Sequence, residues 1–162
     1  MSGVQLFTDG ACRGNPGPGG WGFILRHPAS GKEIEHSGGE KMTTNNRMEL
    51  TAVIEGLKAL KKAANVELVS DSTYVTTGLT KWMPNWKCNG WRRWQGGRLK
   101  PVQNIDLWQE LDDLAAVHSI ITVHVAGHQG HPENERCDKL ATEAAAAAQK
   151  AVIPNGQHAE QG

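Results

Sequence analysis

The first forty residues combine short apolar runs with turn-forming stretches, a pattern typical of successive β-strands. The predicted strands cover residues 4–9, 21–27 and 32–38. Glycine and proline dominate the connection between the first two, and Pro28-Ala29-Ser30-Gly31 has the composition of a turn. Because both connections are short, we expect an antiparallel meander of three strands.

The period of the hydrophobic pattern changes after Thr43. Apolar side chains then recur three or four positions apart, which predicts an amphipathic helix over residues 44–64. These side chains are Leu50, Val53, Ile54, Leu57 and Leu60. A short strand over residues 66–70 follows, and we expect it to run parallel to an earlier strand because the chain reaches it through a helix.

The second half of the chain predicts more helices and a fifth strand. The predicted elements are a helix over 72–89 interrupted near Gly78 and at Pro84, a Trp/Arg/Gly-rich loop over 90–100, a helix over 105–117, a strand over 119–125 and an alanine-rich helix over 132–151. Ile120 and Ile121 would put apolar side chains on both faces of the last strand, which indicates a central position in the sheet. The fold class is therefore α/β, with a five-stranded mixed sheet flanked by helices. We expect one domain over residues 1–152 and a disordered tail over 153–162.

Charge is balanced overall, with 17 basic and 17 acidic residues, but it is unevenly distributed. Residues 72–105 contain no acidic side chain. The same segment carries the basic residues Lys81, Lys87, Arg92, Arg93, Arg98 and Lys100. A local positive surface on a neutral protein predicts a polyanionic ligand.

The cysteines and the hydropathy pattern indicate a cytoplasmic protein. Cys12, Cys88 and Cys137 are odd in number and far apart, which argues against a disulfide framework. The start of the chain lacks the features of a signal peptide, and no apolar stretch approaches the roughly 20 residues that a membrane span needs. We expect no membrane partner, and nothing in the sequence demands more than a monomer.

Four acidic residues, Asp9, Glu49, Asp71 and Asp138, stand beside apolar positions at strand ends or near helix starts. If the first and fourth strands are parallel neighbours, Asp9 and Asp71 share one edge of the sheet, where sites gather in α/β folds. Four clustered carboxylates would repel one another unless divalent cations neutralise them. Hard cations such as Mg²⁺ favour all-oxygen ligands, and phosphodiester cleavage is a usual chemistry at such sites.

Each acid also has a structural interpretation. Asp71 could be a helix N-cap, Glu49 a surface residue of its helix, and Asp138 an acid that complements a helix dipole. These alternatives stay open on the residue pattern alone.

A histidine-containing loop, Gly127-His128-Gln129-Gly130-His131, precedes the last helix. Its glycines favour mobility, and His128 is placed to move protons near neutral pH. A zinc site built from His124, His128, His131 and Cys137 is an alternative, but no Cys-x-x-Cys pair supports it.

Gly17-Pro18-Gly19-Gly20-Trp21-Gly22 matches the dinucleotide-binding pattern G-x-G-x-x-G. It precedes a strand, not a helix, so the helix N-terminus that binds pyrophosphate is missing. We interpret these glycines as turn residues.

Five of the six tryptophans lie in or just beyond the basic segment: Trp82, Trp86, Trp91, Trp94 and Trp108. We expect Trp108 in the core. For Trp82 and Trp86, core packing and a nucleic-acid channel are equally supported.

Several stretches together resemble the bacterial type 1 ribonuclease H (ribonuclease HI) family, and they occur in family order from Val4 to about Ala148. They are Phe7-Thr8-Asp9-Gly10 with Gly14-Asn15-Pro16-Gly17-Pro18-Gly19-Gly20, Thr43-Thr44-Asn45-Asn46-Arg47-Met48-Glu49-Leu50, Asp71-Ser72-x-Tyr74-Val75, Asn104-x-Asp106-Leu107-Trp108, and Gly127-His128-x-Gly130-His131-Pro132-Glu133-Asn134-Glu135-Arg136-Cys137-Asp138.

The resemblance implies an endonuclease that hydrolyses the RNA strand of RNA–DNA hybrids and leaves 5′-phosphate and 3′-hydroxyl ends. By analogy, Asp9 would bridge two Mg²⁺ ions, for which Mn²⁺ can substitute. Asp138 would help to hold the ion that activates water, while Glu49 and Asp71 would hold the ion facing the leaving group. His128 would assist proton movement or product release.

The resemblance also implies substrate contacts. Cys12, Asn15, Asn45 and Asn46 match positions near the RNA strand, where short polar groups can recognise 2′-hydroxyls. The positions that match DNA contacts are Thr44 and Asn104 for a phosphate, Trp82 and Trp86 for the channel, and residues 81–100 for the basic handle.

Some positions depart from the family pattern. Met42 stands where an arginine often completes the phosphate pocket, although Lys41 is adjacent, and Thr73 stands where a glutamine often touches RNA. In the handle, Cys88-Asn89 replaces a pair that is often basic, and Gly96-Gly97 adds flexibility. We therefore expect weaker, more salt-sensitive hybrid binding. The alternatives to an active ribonuclease H are a non-catalytic hybrid-binding module and another nuclease of the same fold.

Overall fold

The computed structural model describes residues 2–125 and 131–157 as an α/β fold built on a five-stranded mixed sheet. The strands are β1 Ser2–Cys12, β2 Gly17–His27, β3 Lys32–Thr43, β4 Ala64–Ser70, β5 Arg92–Gln95, β6 Arg98–Pro101 and β7 Ser119–His124. The helices are α1 Asn45–Lys58, α2 Thr73–Thr77, a π-helical segment Gly78–Trp82, α3 Met83–Cys88, α4 Ile105–Val117 and α5 Pro132–Gln157.

The sheet order is β3-β2-β1-β4-β7. The first three strands form the predicted antiparallel meander, and β4 pairs in parallel with β1. A crossover through α1 makes this parallel pairing possible. The predicted fold class, a mixed five-stranded sheet flanked by helices, is confirmed.

Successive side chains of β1 enter two different cores, as strand geometry requires. Leu6 lies in the larger core, with α1 and α4 residues such as Val53 and Leu111. Phe7 lies in a smaller core on the other face, with Cys137 of α5. Helices therefore cover both faces of the central strand.

The position predicted for the last strand is wrong. β7 lies at the edge of the sheet instead of in its centre, and Ile121 is 69% exposed. Its neighbour Ile120 packs against the larger core. Helix α5 packs on β1, β2 and β3, so it does not cover the face of β7 that carries Ile121.

The predicted loop at residues 90–100 is in part a β-hairpin. Strands β5 and β6 pair antiparallel with Gln95 opposite Arg98. Gly96 and Gly97 form the two-residue turn between them, with φ of 64° and 78°. Two positive φ values are the requirement of a type I′ turn, so these glycines order a hairpin instead of adding flexibility.

The helical segment after Asp71 continues through Gly78 with π geometry. A Cβ at Gly78 would lie 2.1 Å from the Trp108 ring, so glycine lets this ring pack under the helix. Pro84 is tolerated because it lies in the first turn of α3.

Two helix ends differ from the expectation. Helix α1 ends at Lys58 instead of Ala64, and Leu60 packs against the core beyond its C-terminus. Helix α5 continues past Ala151 to Gln157, since the alanine tract propagates helix well. Residues 158–162 of the predicted tail lie outside the described residues. No helix in the described part of the chain combines the length and hydrophobicity that a membrane crossing requires.

The glycines of β2 serve close packing, which corrects their interpretation as turn residues. A Cβ at Gly20 would lie 2.3 Å from the Ala141 carbonyl oxygen, and one at Gly22 would lie 2.6 Å from the Leu140 Cβ. Glycine at these positions lets α5 lie directly on the sheet.

We predict that Gly20→Ala lowers the free energy of unfolding by about 1–3 kcal/mol, because the added methyl group must push α5 away from β2. Gly3→Ala is the matched control, since a Cβ at Gly3 of β1 meets no atom within 4 Å. Urea unfolding of both variants checks this. Equal stability of the two would contradict the packing role of Gly20.

Candidate active site

The acidic residues lie at one edge of the sheet. Phe7 of β1 pairs with Val69 of β4, so the parallel register carries Asp9 and Asp71 to the same level. One carboxylate oxygen each from Asp9, Glu49 and Asp71 lies within 4.8 Å of the others. This trio is the only group of three or more potential metal ligands within the described ranges.

Gly10 allows Glu49 to approach the strand. A Cβ at this position would lie 2.5 Å from the Glu49 backbone nitrogen, so the start of α1 can pack closely on β1 only beside glycine. The Gly10 N–H also donates a 2.9 Å hydrogen bond to Asp9 Oδ1 and orients that carboxylate. The sequence Asp9-Gly10 thus positions two of the acids.

Cys137 places Asp138 beside Asp9. Its Sγ donates a 3.3 Å hydrogen bond to the Phe7 carbonyl oxygen, two residues from Asp9 on β1. Asp138 adds to the electrostatic repulsion at Asp9, although it does not join the 4.8 Å trio. The fourth predicted acid therefore lies next to the cluster, on the opposite side of the central strand from α1.

An ion-pair network fastens the first turns of α5. Arg26 Nη1 of β2 lies 2.9 Å from Glu133 Oε2, and both Arg26 and Arg136 bind Glu33 Oε2 at 3.1 Å. Arg136 also pairs with Glu35. These pairs are partly exposed, so each is worth little in stability, but together they hold the helix that carries Asp138 against two strands.

Burial and the charge of neighbouring carboxylates raise the pKa values of two acids in the cluster, Asp9 and Glu49. The pKa of Asp9 is raised to about 7, chiefly by burial and then by the charge of Asp71. The pKa of Glu49 is raised well above its usual value, again by burial first and then by Asp9 and Asp71. Without a cation, protons would therefore have to neutralise part of the cluster near neutral pH.

The residues fit a divalent metal site. All the ligand atoms are carboxylate oxygens, which hard cations prefer. Glu49 Oε1 is buried and has no hydrogen-bond partner among the described residues. A buried unpaired carboxylate oxygen is costly, and a cation would remove that cost.

The structural interpretations of the acids do not hold. Ser72, not Asp71, is the N-cap of α2 and accepts a hydrogen bond from the Val75 N–H. Glu49 is partly buried and faces the cluster instead of solvent. The helix dipole acts most strongly in the first turn of a helix, and Asp138 lies beyond the first turn of α5.

The zinc alternative is not supported. Cys137 is fully buried, and burial raises the pKa of its thiol, which opposes the thiolate that zinc requires. His124 is exposed on β7. His128 and the rest of residues 126–130 lie outside the described residues, so the role of His128 stays a prediction.

The predicted RNA-side residues lie at the end of β1, in the loop after it and at the start of α1. The Asn45 N–H donates a 3.1 Å hydrogen bond to Asn15 Oδ1, which ties the loop after β1 to the start of α1. Cys12 Sγ lies 3.0 Å from the Gly14 carbonyl oxygen and 3.4 Å from that of Thr43. Asn46 is exposed on the first turn of α1.

Arg47 joins the two residues predicted to hold a DNA phosphate. Thr44 caps α1 by accepting the Arg47 N–H at 3.2 Å. The Arg47 side chain donates to Asn104 Oδ1 at 3.3 Å and pairs with both carboxylate oxygens of Asp106 at 2.8 and 3.0 Å. The Tyr74 hydroxyl accepts hydrogen bonds from Asn104 Nδ2 and Trp108 Nε1.

This network was not predicted from the sequence. Arg47, Tyr74 and Asp106 all stand inside the quoted motifs, yet no spacing rule pairs α1 with α4. The one available signal was an asparagine directly before a helix, a position where its side chain usually caps the helix. In the structure Asn104 adopts the left-handed conformation, with φ of 60°, and its side chain binds Arg47 and Tyr74 instead of capping α4.

Trp82 and Trp86 belong to an aromatic cluster that is both core and surface. Their ring centroids lie 5.9 Å apart, and Trp86 also packs edge-on against the fully buried Trp108. Trp86 is 9% exposed and Trp82 is 37% exposed. The prediction of Trp108 in the core is confirmed, and Trp82 is the ring that reaches solvent.

Comparison with protein-family models matches residues 1–146 to the model of RNase H. The chain belongs to the ribonuclease H family. The curated ribonuclease H of Rhodopirellula baltica is 58% identical over 87% of this chain and 89% of its own length. The ribonuclease H of Hydrogenovibrio crunogenus is 57% identical over 89% of this chain and 96% of its own length.

A solved structure agrees with this assignment. LC9-RNase H1, a type 1 RNase H with the type 2 active-site motif, superposes with a TM-score of 0.79 at 32% identity, covering 91% of this chain and 74% of that chain. The predicted family and enzyme class are confirmed: the chain is a ribonuclease H enzyme, which acts on the RNA strand of RNA–DNA hybrids. A non-catalytic binding module is not supported.

The raised pKa of Asp9 predicts how the metal-free ribonuclease H responds to pH. A carboxyl group whose folded pKa exceeds its unfolded value, here about 7 against 3.8, stabilises the fold below the unfolded value. That stabilisation is lost as pH rises towards 7. Relative to Asp9→Asn, the wild type in EDTA should lose free energy of unfolding between about pH 4 and pH 7, on the order of a few kcal/mol.

Urea unfolding of both proteins across this range measures the difference. Asp113→Asn, at an exposed acid of α4, is the control: it retains Asp9, so its stability should fall with pH as that of the wild type does. Adding Mg²⁺ at pH 8 should stabilise the wild type more than Asp9→Asn. A difference between wild type and Asp9→Asn that stays constant with pH would contradict the prediction.

Proposed function

We propose that this ribonuclease H hydrolyses RNA in RNA–DNA hybrids with two divalent cations, Mg²⁺ in the cell, and leaves 5′-phosphate and 3′-hydroxyl ends. The observation that carries the proposal is the carboxylate trio, together with the raised pKa values of Asp9 and Glu49 and a buried Glu49 Oε1 that has no hydrogen-bond partner among the described residues. When bound, the cations would neutralise this charge, act as Lewis acids on the phosphate and lower the pKa of a water nucleophile. Mn²⁺ has the same ligand preference and would substitute.

The positions of the acids suggest which cation each of them would bind. Asp9 lies on β1 between α1 and α5, so its carboxylate would help to hold both ions. Glu49 and Asp71 would hold one of them, and Asp138 would help to hold the other. Bound cations would keep these carboxylates ionised, because a neighbouring positive charge favours the charged form. His128 is proposed to carry a proton to or from the reacting phosphate.

The RNA strand is proposed to lie over Asn15, Asn45, Asn46 and Cys12. The Asn15–Asn45 hydrogen bond fixes a polar surface at the start of α1, the helix that carries Glu49. Short polar side chains suit the shallow minor groove of a hybrid, where 2′-hydroxyls are donors and acceptors. This contact would favour RNA over DNA without reading base sequence.

The DNA strand is proposed to lie along Thr44, Asn104, Trp82 and Trp86. Arg47 binds Thr44 through its backbone N–H and Asn104 through its guanidinium, and this link between α1 and α4 is proposed to prepare a polar site for one phosphate. Trp82 exposes part of an aromatic face beside the basic segment, as a nucleic-acid channel requires.

The phosphate site lacks a free cation from Arg47. Its guanidinium pairs with Asp106, which raises the pKa of Arg47 further and engages both of its terminal nitrogens. Met42 is 69% exposed and adds no charge. Lys41, exposed beside it, is the proposed substitute.

We further propose that the enzyme works as a monomer in the cytoplasm. Cys12, Cys88 and Cys137 are free thiols, as expected for a reducing compartment.

A cleavage assay tests the proposed function. A labelled RNA–DNA hybrid, duplex RNA and duplex DNA are each incubated with the protein, with Mg²⁺ and with EDTA. We expect cleavage of the RNA strand of the hybrid only, and only with Mg²⁺. Equal cleavage of duplex DNA would indicate another nuclease of the same fold.

Replacing the central acid should separate chemistry from binding. Asp9→Asn is expected to reduce kcat by at least about 10³-fold, because the cations lose their shared ligand, while hybrid binding falls only a few-fold. Asp113→Asn is the matched control at an exposed acid and should retain full activity. Loss of both hybrid binding and the folded circular-dichroism spectrum in Asp9→Asn would indicate a structural role instead.

Restoring the missing arginine should tighten binding. Met42→Arg is expected to lower KM for the hybrid by roughly 3- to 10-fold at 150 mM salt and to leave kcat unchanged, because it adds one phosphate contact. Met42→Gln, which has similar size and no charge, is the control. If Met42→Gln lowers KM as much, the effect is not electrostatic.

A further inference from the structure

The hairpin β5–β6 presents two faces of different chemistry. Residues directly opposite in an antiparallel pair share a face, and alternate residues lie on opposite faces. Arg93, Gln95, Arg98 and Lys100 therefore form one face, which we call the basic face. The other, which we call the tryptophan face, is made of Arg92, Trp94, Leu99 and Pro101.

The basic face is directed towards the proposed DNA channel. Arg93 lines a cavity of about 150 Å³ together with Trp82 and Trp86. The hairpin is attached there through Trp91, whose N–H donates to the Trp86 carbonyl oxygen and whose carbonyl accepts from the Val102 N–H. A duplex in the channel would therefore meet the basic face.

The tryptophan face points away from that channel and is open to solvent. Trp94 is 69% exposed and Leu99 is 43% exposed. They are cross-strand partners, and Arg92 lies on the same face two residues before Trp94. An exposed aromatic ring beside an arginine is the combination on which unpaired bases stack.

The hairpin's charges are available to a ligand. Within residues 2–125 and 131–157, no ion pair involves Arg92, Arg93, Arg98 or Lys100. The surrounding segment 72–105 has no acid. A two-residue apolar patch surrounded by cations is small for a protein partner, but it suits a polyanion with flat bases.

We propose that the tryptophan face binds single-stranded nucleic acid that continues from the hybrid, with an unpaired base stacked on Trp94. The basic face and the tryptophan face would then contact different parts of one substrate, the duplex and its unpaired extension. This inference rests on the proposed hybrid binding. It makes the enzyme selective for hybrids that end in, or branch into, a single strand.

Equilibrium binding in EDTA tests the proposal without cleavage. Fluorescence anisotropy compares a blunt hybrid with the same hybrid carrying a single-stranded extension of about ten nucleotides on either the DNA or the RNA strand. A third set carries abasic extensions, which keep the phosphates but remove the bases. The DNA and RNA arms distinguish the two possible sources of the unpaired strand.

We expect the wild type to bind at least one base-containing extension roughly 5- to 100-fold more tightly than its abasic counterpart, the effect of one base–aromatic stack. Trp94→Ala should abolish this difference and change affinity for the blunt hybrid less than about twofold, while Trp94→Phe should retain part of it. Arg93→Ala, on the basic face, should weaken blunt and extended hybrids equally. Thermal unfolding of Trp94→Ala should match the wild type because the ring is exposed.

Three outcomes would overturn the proposal. Equal wild-type affinity for base-containing and abasic extensions would exclude stacking and favour a protein ligand for the tryptophan face. Equal weakening of blunt and extended hybrids by Trp94→Ala would place Trp94 on the duplex. An unchanged base preference in Trp94→Ala would exclude Trp94 as the stacking residue. The cleavage assay on blunt hybrid tests the proposed function separately.

Discussion

Electrostatic repulsion within a partly buried carboxylate cluster is the constraint around which this structure is built. Asp9, Glu49 and Asp71 would separate if their backbones were free to move, since each raises the electrostatic cost of ionising another. Packing of α1 and α5 on opposite faces of β1 prevents that separation. The free energy for holding the acids together thus comes from the apolar cores, and the same strain makes the cluster a receptor for cations.

Close backbone approach makes this packing possible. Gly10 admits the start of α1, which carries Glu49, and the glycines of β2 admit α5, which carries Asp138. Cys137 adds a hydrogen bond from α5 to β1 next to Asp9. Residues with no chemical role therefore determine the distances between residues that have one.

The proposed substrate surface has two parts, a phosphate site between α1 and α4 and the β5–β6 hairpin. Arg47 connects α1 with α4 and holds the proposed phosphate site, but its pairing with Asp106 leaves little charge for the ligand. Positive charge is concentrated instead on the hairpin. Arg93, Arg98 and Lys100 lie on its basic face, and Arg92 lies on its tryptophan face. Binding strength and substrate choice would then depend more on the hairpin than on the phosphate site.

The sequence by itself determined most of the elements and the family: the alternating and 3.6-residue patterns predicted the meander, α1 and the parallel crossover. The motifs around the four acids indicated the family, and these acids stay the predicted metal ligands. The Gly96-Gly97 pair is also a local signal for a two-residue hairpin turn, although the sequence analysis interprets it as a flexible loop.

Only the tertiary structure decided the features that depend on contacts between distant segments. Ile121 has the pattern of a buried residue, because the local sequence does not show whether its strand lies at the centre or at the edge of the sheet. The β2 glycines resemble turn residues, because the helix that packs on them, α5, lies more than a hundred residues away in the sequence. The pairing of Arg47 with Asp106 and the raised pKa of Asp9 arise in the same way, from burial and charge brought together by folding.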